Sequence, residues 1–274
     1  MNEVPASSFL ARNEFLIRRL HSLSGLIPVG AYMVIHLLTN AAILESPALY
    51  QRLVYGIHGL PVLWVIEWVF IFIPILFHAI IGVLMIRGSL PNSGTYKYGS
   101  NYRYTLQRAT GMIAFVFILV HVFHMHGWFH AEPWVKNVVE PLGGGQFKPY
   151  NAASTGALAL ASIGYQIFYV VGVLSCVFHL ANGIWTFGIT WGIWVTPAAQ
   201  RWATAAALVF GIGLGIVGLG ALGGFAYGVN VEEAAQKENE MYQERVKIGD
   251  IDPDDHKRAH AKPETAAVAP PTDH

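Results

Sequence analysis

Five long apolar stretches, separated by shorter polar segments, are the feature that most constrains how this chain can fold. Each stretch provides the about 20 helical residues that are needed to cross the hydrocarbon core of a bilayer. Because backbone groups in lipid find no water to bond, stretches of this kind predict transmembrane α-helices. The predicted stretches cover roughly Leu23–Leu44, Leu60–Ile86, Ala109–Phe129, Ala157–Ile189 and Ala203–Tyr227.

The distribution of charge supports this division. Only 12% of the 274 residues are charged, whereas soluble domains carry about 25%. We predict that residues 1–229 form an all-α integral membrane bundle of five transmembrane helices, surrounded by lipid. Residues 230–274 are charged and rich in proline and alanine, which predicts a solvated, partly disordered tail that is helical at first. Pro28 and Pro74 lie inside the first two stretches, so we expect a kink at each.

Two counts exclude whole classes of function. The formal net charge is zero, so the sequence carries no basic footprint for nucleic acid, and we expect no nucleic-acid partner. The single cysteine, Cys176, lies in an apolar stretch. One cysteine can neither form a disulfide within the chain nor hold an iron–sulfur cluster.

Positive charges predict the orientation in the membrane. By the positive-inside rule, segments rich in lysine and arginine stay in the cytoplasm. The N-terminus is therefore predicted to be cytoplasmic and, after five spans of the cell's inner (cytoplasmic) membrane, the C-terminus lies outside. The residues counted as cytoplasmic are Arg12, Arg18, Arg19, Arg87, Lys97, Arg103, Arg108 and Arg201, against Arg52, Lys136 and Lys148 in the opposite segments.

Four histidines lie deep in the apolar stretches, one in each of the first four. A polar side chain in this position is costly and marks a functional site. A hydrogen bond to a neighbouring helix can explain one such histidine, but one per helix in four helices indicates ligands. With a rise of about 1.5 Å per residue, His36 and His121 lie towards the outer face, and His78 and His179 towards the cytoplasmic face.

Two imidazoles at one depth suit a six-coordinate haem iron held between two helices. A zinc or copper site gathers three or four ligands, and each depth here offers only two. The chain also lacks the Cys-x-x-Cys-His motif of covalent haem attachment. We therefore predict a bundle that encloses two b haems for electron transfer. The alternative from another class is a haem-free membrane anchor or small transporter, which would show no haem spectrum.

Other polar residues give further candidates. His21 either donates a hydrogen bond to a haem propionate, together with Ser22, or lies in the headgroup layer. Glu67 is the only carboxylate within a predicted stretch. It is either an interfacial carboxylate or a proton donor and acceptor for a quinone at an outer site, which Trp64 would line. A histidine cluster at the outer end of the third stretch predicts a solvated helix end, with a surface metal site as the alternative: His124, His126 and His130.

Long strings surround the four histidines: RRLHSLSGLIPVGAYMVIHLLTN, EWVFIFIPILFHAIIGV, LQRATGMIAFVFILVHVF and VGVLSCVFHLANGIWTFGITWGIWVTP. In content and order they resemble the single-chain dihaem cytochrome b subunit of succinate dehydrogenases and fumarate reductases (complex II), in its Bacillus-type branch. The resemblance runs from about Arg18 to the end of the fifth stretch. It implies that all four histidines are axial ligands, in the pairs His36 with His121 and His78 with His179.

The resemblance also implies a function and its partners. The chain is expected to be the membrane-anchor and quinone-reacting subunit of succinate:quinone oxidoreductase, with menaquinone as the quinone. A flavoprotein with FAD would oxidise succinate, and an iron–sulfur subunit would deliver the electrons. A quinol:fumarate reductase anchor, working in reverse, is the alternative. The chain departs from the family in two places. The tail after Val229 is longer than in the family. Position 177 is a valine, where some dihaem fumarate reductases carry a glutamate for transmembrane proton transfer. Because valine cannot carry a proton, we expect no such path through position 177 here.

Overall fold

A computed structural model describes residues 12–87, 94 and 98–259, which contain helices and no strand. Five helical segments in this part are long and apolar enough to cross a membrane, which confirms the predicted all-α, five-span bundle. The second of them has a mean hydropathy of 2.8, yet none of its most apolar window is buried in the protein. Such a surface requires lipid around it. The five spans are Glu14–Leu44, Leu63–Arg87, Gly99–His126, Ile163–Thr190 and Pro197–Gly228.

The first span is interrupted where a kink is predicted. An α-helix, Glu14–Leu26, ends before Pro28, and a second α-helix, Val29–Ala41, follows it and leads into the 3-10 turn Ala42–Leu44. Proline cannot donate a backbone hydrogen bond, so the helix is readily interrupted there. The two halves then have different neighbours: the first packs against the second span, and the second packs against the fifth.

The second span contains a widened turn before its proline. The π-helical segment Glu67–Phe72 follows the short helix Leu63–Ile66 and precedes the α-helix Ile73–Arg87. A wider turn leaves room for the carbonyl that Pro74 cannot bond. The expected kink at Pro74 therefore takes the form of a π-helical segment within a continuous span.

The fourth predicted stretch, Ala157–Ile189, is not one helix. The helix Ala152–Ala159 ends, and the fourth span begins at Ile163. The side-chain amide of Gln166 donates to the carbonyl of Leu160 at 3.0 Å, which satisfies a carbonyl at the break. Residues 152–159 are apolar because they are buried in protein, and composition alone cannot distinguish this burial from burial in lipid.

Three helices pack together at one end of the bundle, and we call them the cap: Pro47–His58, Ala152–Ala159 and Val231–Lys247. The side chain of Gln51 joins the first two. It is fully buried, accepts from the amide of Ala152 at 2.8 Å and donates to the carbonyl of Pro149 at 2.8 Å. Shorter helical pieces complete the fold: Glu132–Trp134, Val135–Val139, Pro149–Asn151, Gly224–Gly228 and Asp255–Lys257.

The helix predicted to begin the tail is present, and it buries one face in the cap while its other face is exposed. Its Glu238 is 1% exposed and accepts hydrogen bonds from the backbone amides of Ala153 at 2.6 Å and Ser154 at 3.2 Å. A carboxylate at the N-terminus of a helix satisfies amides that have no intrahelical partner. The predicted disorder of the end of the tail falls on residues 260–274, which, like Lys97, lie outside the described residues. The domain division at residue 229 stays a prediction.

Among the described residues, the end of the bundle opposite the cap carries seven arginines against one acidic residue, Glu14, and we call it the basic end. The guanidinium of Arg103 lies 3.8 Å from the ring centre of Trp185 and donates to Thr204 at 3.2 Å. That of Arg19 lies 5.0 Å from the ring centre of Trp191. Residues that the sequence assigns to the cytoplasmic side are thus gathered at one end.

Candidate functional site

The structure brings the four histidines together in two pairs. The ring centroids of His36 and His121 are 5.9 Å apart, and those of His78 and His179 are 6.1 Å apart. Metal–nitrogen bonds to imidazole are about 2.0 Å long, and the nitrogen lies about 1.1 Å from the ring centre, so one metal between two rings requires roughly 6 Å. Both pairs therefore have the spacing of a shared metal, and they are the pairs that the sequence predicts.

The two pairs lie towards opposite ends of the bundle. One turn after His36, the side chain of Asn40 accepts from the hydroxyl of Tyr50 in the cap at 3.3 Å. On the other side, Gln107 accepts from Asn182 at 2.7 Å, and Asn182 accepts from Arg103 at 2.9 Å. Because Gln107 also contacts His179, this polar chain connects the second pair to the basic end. We call the pairs the cap-side pair and the basic-side pair.

Hydrogen bonds determine which ring nitrogen carries the hydrogen in each histidine of the basic-side pair. The Nδ1 of His78 lies 2.9 Å from the carbonyl of His21, and the Nδ1 of His179 lies 3.0 Å from the carbonyl of Gln107. A carbonyl can only accept, so each Nδ1 must carry the hydrogen. The Nε2 of each ring then keeps its lone pair, as a metal ligand requires.

The cap-side pair is held by side chains. The Nδ1 of His121 lies 3.1 Å from the hydroxyl of Tyr169, which can accept a hydrogen bond from it or donate one to it. The amide of Asn40 donates to the carbonyl of His36 at 2.7 Å and makes only a 3.4 Å contact with its Nε2. A contact of that length is weak, so His36 is the least firmly oriented of the four rings.

Glycines on the facing helices make room for the basic-side rings. A Cβ built on Gly25 would lie 2.2 Å from Cε1 of His78, and one built on Gly111 would lie 2.8 Å from Cε1 of His179. Neither approach is possible for a residue with a side chain unless the ring moves. The two glycines therefore let the first and third spans approach the histidines of the second and fourth.

Two side chains with buried polar atoms lie in the helix Glu14–Leu26, which packs against the helix that carries His78. His21 stacks on the ring of His78, with centroids 4.0 Å apart and planes 10° apart. Within the described part of the chain, the buried Nδ1 of His21 and the buried Nε of Arg19 have no hydrogen-bond partner. Burying an unpaired polar atom is costly, so an anionic group fits here. Ser22 lies half-buried in the same helix, Glu14–Leu26.

Glu67 lies near the cap-side pair, as predicted. It is half-buried at the start of the π-helical segment of the second span. This segment packs against the helix Val29–Ala41, in which the ring of Tyr32 stacks on His36 at 5.5 Å between centroids. Trp64, one turn before Glu67, is 68% exposed on the outside of the bundle. Segments of π-helix occur frequently at functional sites.

The histidines at the end of the third span are not alike, so the expectation of a solvated helix end is wrong for one of them. His124 is only 3% exposed, and its Nδ1 lies 3.0 Å from the hydroxyl of Tyr169. His126 and His130 lie with ring centroids 4.3 Å apart. Within the described residues, no group of three or more histidine, cysteine, aspartate or glutamate side chains is arranged to hold a metal ion.

These features define a class: a multi-pass, all-helical membrane protein with two histidine pairs inside its bundle. No protein-family model matches the chain. It is 35% identical over 212 residues to the succinate dehydrogenase cytochrome b558 subunit of Bacillus subtilis (strain 168), an alignment that covers 77% of this chain and 97% of that relative. The chain therefore belongs to the family of succinate dehydrogenase cytochrome b558 subunits. It is the membrane-anchor subunit of a complex II, as the sequence predicts.

Proposed function

We propose that this subunit holds two b haems, one between His36 and His121 and one between His78 and His179. The observation that carries the proposal is the spacing of about 6 Å in both pairs, together with the Nδ1 hydrogen bonds to carbonyls that leave the Nε2 lone pairs of His78 and His179 free of a hydrogen. When bound, a haem with two histidine ligands supplies a one-electron carrier with no open position for oxygen.

The remaining residues around the basic-side pair are assigned to the periphery of its haem. His21 and Arg19 would donate to a propionate through the unpaired nitrogens Nδ1 and Nε, and Ser22 would lie close to them. Charge-assisted hydrogen bonds of this kind are stronger than neutral ones. They would fix the edge of the haem that faces the basic end.

Single substitutions test the assignment of the ligands. Replacement of His36 or His121 by alanine should remove one and the same haem, and replacement of His78 or His179 the other. The exposed His256 provides the control, since His256→Ala should keep both. Haem per polypeptide and the midpoint potentials of the purified variants would be measured. A variant of any of the four that keeps both haems with unchanged potentials would contradict the assignment.

We further propose that the chain is the quinone-reacting subunit of succinate:quinone oxidoreductase, with the quinone at the cap-side pair. The flavoprotein with FAD and the iron–sulfur subunit would bind at the basic end, on the cytoplasmic side. Support comes from the gathering of positive charge at that end and from the family. The family resemblance implies menaquinone as the quinone.

Quinone reduction consumes two protons with its two electrons, and Glu67 would deliver one of these protons to a quinone oxygen. Trp64, one turn before Glu67, would offer an indole face to a ring that enters from the lipid. Glu67→Gln keeps the shape but cannot transfer the proton. It should lower quinone reductase activity on the order of 10²-fold, while succinate oxidation with an artificial acceptor at the partner subunits is unchanged.

The exposed Glu132, in the segment after the third span, gives the matched control for this variant. Glu132→Gln should keep full quinone reductase activity. If Glu67→Gln also keeps full activity and the wild-type pH profile, Glu67 has no role in proton delivery.

A further inference from the structure

One hydroxyl lies between two histidines of the third span. The oxygen of Tyr169, in the fourth span, is 3.1 Å from Nδ1 of His121 and 3.0 Å from Nδ1 of His124. Tyr169 is 5% exposed, and its ring packs edge-on against Phe117. The hydroxyl is therefore enclosed, and its two partners are set by the packing of the two spans.

The proton positions follow from what each atom can do. A tyrosine hydroxyl has one hydrogen to donate, so it cannot donate to both rings. If Nε2 of His121 is a ligand, its Nδ1 carries the hydrogen and donates to the Tyr169 oxygen. The hydroxyl then donates to Nδ1 of His124, whose hydrogen is on Nε2. The three residues form a chain with a single direction, from His121 through Tyr169 to His124.

The packing around His124 holds its ring in position to accept the hydrogen bond from Tyr169. It is 3% exposed, and its ring is stacked face to face on that of Tyr165, with centroids 3.9 Å apart and planes 7° apart. A hydroxyl that donates to such an acceptor becomes a better acceptor itself, because consecutive hydrogen bonds polarise one another. The hydrogen bond from His121 is thereby strengthened.

The two rings of the basic-side pair are supported differently. His78 and His179 donate to backbone carbonyls, which no side-chain substitution removes. Of the three rings with a bonded Nδ1, only His121 uses a side chain. We propose that Tyr169, backed by His124, is a positioning residue that sets the orientation and the electron-donating strength of His121, and so lowers the potential of the cap-side haem. This inference rests on the proposed role of His121 as a ligand.

The direction of the effect follows from the hydrogen bond. Donation from Nδ1 makes the ring a stronger electron donor to a metal at Nε2, and a stronger donor favours the ferric state. Tyr169→Phe removes the acceptor and keeps the ring and its packing. The cap-side haem should then be reduced more readily, by about two- to tenfold in its one-electron equilibrium constant, as the loss of one hydrogen bond predicts.

The experiment is a redox titration of the purified complex, followed by the haem absorption bands and by low-temperature electron paramagnetic resonance. The wild type, Tyr169→Phe and Tyr165→Phe would be compared. Tyr165→Phe is matched, since it removes a hydroxyl one turn away and keeps the stacking on His124. The couple of the cap-side haem is identified as the one missing from His36→Ala. We expect Tyr169→Phe to raise this couple alone and to change its ferric resonance, with Tyr165→Phe like the wild type.

The failure of this inference and the failure of the proposed function give different results. If Tyr169→Phe holds two haems and shifts neither couple by as much as twofold, the role of Tyr169 is wrong and the ligand assignment stands. An equal shift in Tyr165→Phe also overturns it, because the effect would then be one of general packing. If His121→Ala itself keeps both haems, the proposed function has failed and the inference with it.

Discussion

At the residue scale, two of the close approaches between spans place a glycine against a histidine ring. The hydrogen bond from Nδ1 of His78 to the carbonyl of His21 crosses from the second span to the first, and Gly25 lies under the same ring. The packing on Gly25 and the hydrogen bond to His21 thus both fix the orientation of the His78 ring. A change at Gly25 or at the His21 carbonyl should therefore disturb the position of His78 while the histidine itself is unchanged.

Gly25→Ala tests this packing. Its Cβ would lie 2.2 Å from Cε1 of His78, so the ring must turn and lose its bond to His21. We expect loss of the basic-side haem, with the cap-side haem retained, measured as haem per polypeptide. Gly213→Ala is the control within a span, because its Cβ meets nothing within 4 Å. Full haem content in Gly25→Ala would show that His78 can move freely.

Sequence reasoning reaches the ligands but not what holds them. The four histidines are conspicuous because an imidazole in an apolar span is costly. The acceptors of their Nδ1 hydrogens are backbone carbonyls in two cases, and a carbonyl carries no sequence signal. Tyr169 resembles any aromatic residue that packs in a membrane helix, so its position between His121 and His124 depends on the register of two spans.

At the element scale, the cap is the part that hydropathy does not predict. The apolar helix Ala152–Ala159 is short and enclosed by protein, and the charged helix Val231–Lys247 lies against it. Both have compositions that mislead: one resembles the start of a span, and the other resembles a solvated tail. Their pairing depends on Glu238 at the N-terminus of the first helix, a contact between residues far apart in the chain.

Glu238→Ala should open the cap. It would leave the amides of Ala153 and Ser154 buried without their acceptor, at a cost of about 1–3 kcal/mol for each unsatisfied donor. Hydrogen exchange of the two helices should become faster, while exchange in the spans is unchanged. The exposed Glu244 serves as the control through Glu244→Ala. Equal protection in the two variants would mean that the Glu238 contact does not hold the cap together.

The cap should also respond to pH through His58. Burial, followed by the nearby positive charges of Lys257 and His126, lowers the pKa of His58 to about 4. The unfolded segment binds the proton near the ordinary pKa of 6.5, so below that value the open form takes up more protons than the closed form. The contribution of His58 to the stability of the cap is therefore complete above about pH 6.5 and is lost as the pH falls towards 4.

Hydrogen exchange of the helix Val231–Lys247, corrected for the intrinsic effect of pH, measures this loss. Protection should fall between pH 7 and pH 5 in the wild type. In His58→Gln, which cannot be protonated, it should fall less. Identical profiles would assign the pH response of the cap to other groups.

At the scale of the whole molecule, the five spans follow from sequence because lipid requires long apolar helices. The gathering of arginines at the basic end also follows from the sequence, because these residues lie in alternate segments between the apolar stretches. The angles and neighbours of the spans do not follow from it, since they depend on breaks such as that at Pro28 and on close approaches such as that at Gly111. Orientation in the membrane is a separate property, and one native cysteine makes it easy to measure.

Cysteine labelling in intact cells tests the orientation. In a Cys176→Ser background, Gln243→Cys places a thiol on the exposed surface of the cap, and Ala198→Cys places one at the start of the fifth span. A membrane-impermeant reagent should label position 243 from outside, and position 198 only after the membrane is permeabilised. The reverse pattern would place the N-terminus outside and the quinone site on the cytoplasmic side.

The most direct test of the central claim is the haem content of the purified wild-type complex, as haem b per copy of this chain. Two histidine pairs, each with the spacing of a shared iron, predict two haems with distinct midpoint potentials. One haem would mean that one of the pairs is structural. A well-folded complex without haem would contradict the account and leave the four histidines as structural residues of a haem-free anchor.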